Sequence, residues 1–245
     1  MEEIIAFINY KKQEFVQLPL FKMMKSPTLG AKQKLIFAPC MAHFIMSFGD
    51  INCYILRNLD TVDPIQNIVN QYSYEDDKHW PWFITDIEQL GLDAKLSFTQ
   101  SLRFIWSEQN KITRQLTYYI SAFTLQASSF IKLVVIRVLE ATSDVFFSIS
   151  NTITSELQKT TNQEYLYFGN YHLIAEKEHT ITSSESEDYL SQITLTKAQH
   201  QEALYVVEEI FNLFSEWTYE LLAYARNHAA ESTAEKTSNA TLLAV

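Results

Sequence analysis

Three groupings of imidazole and carboxylate side chains in this chain have the residue types and spacings of metal chemistry. The sharpest is His172-Leu-Ile-Ala-Glu176-Lys-Glu-His179. Positions i, i+4 and i+7 of an α-helix lie within about 60° of one another. Two imidazoles and a carboxylate would then stack on one side of a helix, a set of nitrogen and oxygen donors suited to iron, manganese or zinc. The competing reading is a solvated polar face, which the neighbouring Lys177 and Glu178 support. A second grouping is Glu75-Asp-Asp-Lys-His79-Trp. Glu75 and His79 are four apart and Asp76 and His79 three apart, so either acid can share a helix face with the imidazole. An acidic run is more often a solvated face. The third is Glu140 within VVIRVLEATSDVFF. A carboxylate in so apolar a helix is costly unless paired or metal-bound, and Arg137 offers a structural ion pair with Glu140 or Asp144. His43, in FAPCMAHFIMSF, is a lone imidazole in an apolar helix and reads as a satisfied core residue rather than a haem ligand.

The elements that must position these groups are helical. Only four glycines and five prolines occur in 245 residues, far too few tight turns for an all-β or Gly-rich nucleotide-binding fold. A first helix is expected over Glu2 to Phe15, followed by a turn at Leu18-Pro19. Ser26-Pro27 reads as the cap and first turn of a helix running to Leu56, kinked by Pro39. Asp63-Pro64 opens the helix that carries Glu75, Asp76 and His79. Pro81 should kink or end it, and Gly91 fits a C-terminal cap. Further helices are expected at 97–109, 112–127, 129–157 and 163–179, then a polar connection over 180–195. Thr196 to Gln199 fits a capping box that starts a last helix through Leu222 or so. The segment 129–149 is apolar almost all round and belongs at the centre of a bundle. The expectation is all-α: one domain over 1–227, about seven or more helices around a central one, and a polar tail over 228–245.

Bulk composition excludes several function classes. Hydrophobic residues make up 47% and charged residues 20%, and 19 basic against 29 acidic residues give a net charge of −10. That composition is globular and argues against nucleic acid and anionic membrane surfaces as partners. The opening MEEIIAFINYKK lacks the features of a signal peptide, and the apolar run KLVVIRVLEATSDVFF is broken by charges before it reaches a membrane span. Cys40 and Cys53 read as reduced core residues, so a cytoplasmic location is expected. No GxSxG, CxxC, P-loop or dinucleotide fingerprint is present.

The phrases EDDKHWPWFITDIEQLG, VLEATSDVFF and YFGNYHLIAEKEH, in this order, resemble the haem-oxygenase-like di-iron oxidase superfamily. The branch they are most similar to is the CADD-like proteins, named after a chlamydial protein that associates with death domains. The likeness runs over roughly residues 30–225. It implies a metal set of Glu75 or Asp76 with His79, then Glu140, then His172, Glu176 and His179. It implies two iron ions, with manganese as the alternative, O2 and a small organic substrate as reactants, and oxidoreductase activity. One departure stands out: many members carry a carboxylate seven residues before the first His, and here that position is Tyr72. Aromatic residues beside the motifs, Trp82, Phe147, Tyr167 and Phe168, are candidates to line a substrate pocket. The competing function is a metal-free protein of the same fold that binds a small molecule or a partner protein; homodimerisation is left open.

Overall fold

In a computed structural model, which describes residues 1–93, 95–179 and 193–242, the chain is helical, with no strand among those residues. The order is α1 (Glu2–Phe15), α2 (Pro19–Met24), α3 (Ala31–Lys34), a 3₁₀ turn (Ala38–Met41), α4 (Ala42–Ile51) and a π turn (Asn52–Leu56). Then follow α5 (Pro64–Asp76), α6 (Trp80–Gln89), α7 (Phe98–Ile105), a 3₁₀ turn (Glu108–Asn110), α8 (Lys111–Thr124), α9 (Ser129–Thr161), α10 (Asn170–Glu178) and α11 (Lys197–Leu242).

Helix α9 is the hub. Leu133, Val134, Val135, Ile136 and Val138 along it are completely buried, as an all-round apolar sequence requires. It packs against α1, α5, α8, α10 and α11. Its first residue is tied to α5, because the Ser129 hydroxyl donates to Asp63. Asp63 also caps α5 by accepting the Ile65 N–H at 3.0 Å, with Pro64 in the first turn, where no N–H is needed. Lys132 buries its ammonium against the carbonyls of Ile55 and Leu56, at 2.7 and 3.1 Å, closing the π turn. The start of α5 is thereby fixed to the central helix.

Several local signals act as their chemistry dictates. Thr196 and Gln199 form the capping box of α11, and Gly91, with φ +68°, donates to Glu88 after the end of α6. Others are overridden. Ser26-Pro27 starts no helix: the Ser26 hydroxyl lies 2.9 Å from that of Thr28 and accepts the Thr28 N–H, a local turn that competes with capping. The next helix begins at Ala31, with Gly30 as its cap. Pro39 does more than kink: it sets a separate 3₁₀ turn. Helix α11 also continues past the expected end to Leu242, while 180–192, most of the expected polar connection, lie outside the described residues. Among the described residues one stretch, Ala31–Leu56, is long and apolar enough by length and composition to cross a membrane, and half of its most apolar window is packed inside the fold, as a core helix also is.

Candidate metal centre

The three groupings converge beside α9. Helix α5 ends at Asp76, earlier than expected, and Pro81 lies in the first turn of α6 instead of kinking one long helix. Asp77 and His79 keep right-handed helical dihedrals across the break. Asp76 and His79 therefore retain a shared face, and Nδ1 of His79 comes within 2.6 Å of Asp76 Oδ1. Glu140 projects from the middle of α9. Helix α10 starts at Asn170, later than expected, and carries His172 and Glu176 one turn apart, with His172 Nε2 2.9 Å from Glu176 Oε1. His179 is the first residue beyond α10, where the backbone leaves the helical region. This departure lets its Nδ1 reach Glu140 Oε1 at 3.1 Å.

Two overlapping donor sets result. One ligand atom from each of Asp76, His79, His172 and Glu176 lies within 4.8 Å of the others, and the same holds for Glu140, Glu176 and His179. Glu176 belongs to both. Of the two acids left open by the sequence, Asp76 joins the cluster; Glu75 is half-buried outside both sets, though its charge helps raise the pKa of His179. Glu140 accepts from His179, and Asp144, the other acid expected near Arg137, pairs with Lys12 of α1.

These groups fit a cation. Nδ1 of His79 and Nε2 of His172 are buried without a hydrogen-bond partner, despite the carboxylate oxygens beside them, because neither approach has hydrogen-bond geometry. Nδ1 of His172 lies 2.9 Å from the Tyr167 carbonyl. A carbonyl only accepts, so Nδ1 carries the proton and Nε2 presents its lone pair to the cluster, the arrangement of a metal-ligating imidazole. Burial, aided by His79, pushes the His172 pKa down to about 3, which keeps the ring neutral. Burial raises the Glu176 carboxyl well above its usual range, and the charges of Glu140 and Asp76 add to the effect. Glu140 is raised chiefly by burial, against the pull of His179. For Asp76, burial is outweighed by His79 and the two other imidazoles, and its pKa falls. Three crowded carboxylates and the inward-facing lone pair of His172 are both relieved by a cation. The cluster could hold a metal ion.

The support of the site includes a residue that the sequence does not mark. Asp86 of α6 is fully buried and accepts the backbone N–H groups of Leu166, Tyr167 and Phe168 at 2.8, 3.0 and 2.8 Å. Burial pushes its carboxyl up to about 6 against the pull of those donors. The Phe168 carbonyl accepts from Ser150 and Thr154 of α9 at 2.9 and 3.2 Å. The segment that presents the Tyr167 carbonyl to His172 is thus clamped from two helices. Gly169 completes it: a Cβ there would fall 2.0 Å from the Tyr165 carbonyl oxygen, so no side chain fits where this turn folds under α10.

An apolar cavity of about 80 Å³ adjoins the donors. Tyr72, Asp76, His79, His172 and Glu176 form one side, and Phe15, Phe21, Phe44, Phe146 and Trp217 line the rest. Phe147 and Tyr167 line it. Trp82 instead stacks on His79, with centroids 4.3 Å apart, and Phe168 packs in the core against Phe83 and Phe146. His43 bonds Thr117 at 3.1 Å and meets Trp106 and Tyr118 edge-on, a satisfied side chain. No model of a known protein family matches this chain, and no curated protein matches it either.

Proposed function

We propose that this chain is a non-haem iron oxidoreductase that activates O2 at a two-iron centre and oxidises a small organic substrate. The observation that carries this reading is the pair of donor sets sharing Glu176, a carboxylate-bridged arrangement that helical bundles use for di-iron sites. The resemblance of the three motif phrases to the haem-oxygenase-like oxidases, CADD-like branch, supports the same reading.

Asp76, His79, His172 and Glu176 would hold one iron, and Glu140, Glu176 and His179 the other, with manganese as the alternative occupant. When bound, the metals supply the electrons and the Lewis acidity for O2 chemistry. The protein's own contribution is positional. The Tyr167 carbonyl fixes the tautomer of His172, Trp82 holds the ring of His79, and the aromatic cavity keeps bulk water from the substrate.

The test is anaerobic titration with ferrous iron followed by admission of O2. Iron-dependent O2 uptake, lost in His172→Ala, supports the oxidase. Folded protein that binds no iron rejects it and leaves the apolar cavity as the site of a metal-free small-molecule-binding protein.

A further inference from the structure

The two donor sets are unequal. The first has four protein donors; the second has Glu140, Glu176 and His179, and Glu176 is shared. A closed site takes four protein donors and three leave a position open, so the second set has room for one more.

Tyr72 stands at the junction of the two. It is buried on α5, one turn before Asp76, and its hydroxyl lies 3.1 Å from Asp76 Oδ2. The phenol also acts on Glu140, drawing down the pKa of that carboxyl. The Tyr72 ring stands edge-on to His179 at 5.4 Å. The phenol oxygen therefore sits on a carboxylate of the first donor set, while its ring borders the imidazole of the weaker one. Asp76 has its other oxygen, Oδ1, beside His79, so hydrogen bonding to Tyr72 does not remove it from the first set.

We propose that Tyr72 is the fourth protein donor of the second subsite and binds its cation through the phenol oxygen. The inference rests on the reading of this cluster as a metal centre. The oxygen–metal bond forms as the phenol O–H releases its proton to solvent, and no electron is transferred. Before a cation binds, the hydroxyl donates to Asp76; afterwards its oxygen serves as a hard anionic ligand, which favours ferric over ferrous iron.

The experiment uses the full chain loaded anaerobically with ferrous iron and then oxidised in air, read by visible absorption and resonance Raman scattering. The expected result is a phenolate-to-iron charge-transfer band with tyrosine ring vibrations, absent in Tyr72→Phe and kept in Tyr167→Phe. Iron titration of Tyr72→Phe should show the second equivalent weakened at least tenfold, with the first unchanged. Tyr72→Glu should recover the second equivalent without the band. If Tyr72→Phe does not fold, an isotope shift of the ring modes in protein labelled with ring-deuterated tyrosine, with Tyr167→Phe as control, reads the same bond. Two bound irons with no such band, or a band that persists in Tyr72→Phe, overturns this inference alone. Absence of iron binding by the wild-type chain overturns the metal-centre reading with it.

Discussion

Replacing Asp86 should loosen the site without touching any metal-facing atom. In Asp86→Ala, three buried N–H groups lose their acceptor, each at about 1–3 kcal/mol. Part of that loss is offset because a costly buried charge disappears. The rise of this carboxyl from 3.8 to about 6 corresponds to about 3 kcal/mol. The net destabilisation is therefore about 0–6 kcal/mol, centred near 3. Asp86→Asn removes the same charge and leaves only one N–H unsatisfied, so it should cost less and stay within about 2 kcal/mol of wild type. Its amide oxygen can take the place of Oδ2, which accepts from both Tyr167 and Phe168, leaving only the Leu166 N–H opposed by the amide NH2. Urea denaturation gives the stabilities, and metal titration of the folded variants gives the coupling to His172, whose tautomer depends on the clamped Tyr167 carbonyl. The reasoning is refuted if Asp86→Ala is more stable than wild type, or if Asp86→Asn is the more damaging of the two.

Other consequences follow from single contacts. In the metal-free protein His172 should contribute a loss of stability as pH falls from about 6.5, the ordinary pKa of histidine, opposing the raised carboxyls of Asp86, Glu140 and Glu176. Native His172 resists protonation down to about 3, so the unfolded chain takes the proton first and stability drops by up to about 1.4 kcal/mol per pH unit. His172→Gln should show a shallower acid slope in denaturation curves from pH 7 to 4, and an unchanged slope would remove the burial argument. Gly169→Ala should destabilise by more than an ordinary surface substitution, because its methyl meets the Tyr165 carbonyl at 2.0 Å; a wild-type melting temperature would contradict that geometry. Chelator treatment of the loaded protein should lower the melting temperature, since metal binds the folded chain preferentially.

What could be read from the sequence was chemistry that is local. Asp63-Pro64 and Thr196 with Gln199 mark helix starts because a cap acts within three residues. His172, Glu176 and His179 declare themselves through spacing, although His179 reaches Glu140 only by leaving the helix. The choice between Glu75 and Asp76 was not legible, because it depends on where α5 stops and how the break at 77–79 is shaped. Ser26-Pro27 misled because a serine hydroxyl serves a local turn as readily as a cap. Asp86 carried no signal at all: its partners are backbone N–H groups about 80 residues away, and backbone donors leave no mark on sequence. Tyr72 was visible as a departure from the family pattern, but its contacts with both donor sets required the fold. Residues beyond 228 read as a polar tail, yet HAAESTAEKTSNATL is rich in alanine and other helix formers, and α11 runs through it to Leu242.

The central claim is that Glu176 is common to two metal subsites, and comparing metal stoichiometry across three proteins tests it most directly. Anaerobic ferrous titration of the folded wild-type chain should reveal two equivalents, the second weaker. Glu140→Ala should abolish only the second, because Glu140 belongs to one donor set, whereas Glu176→Ala should weaken both. Two equivalents surviving intact in Glu176→Ala, or none in the wild-type chain, would contradict the account.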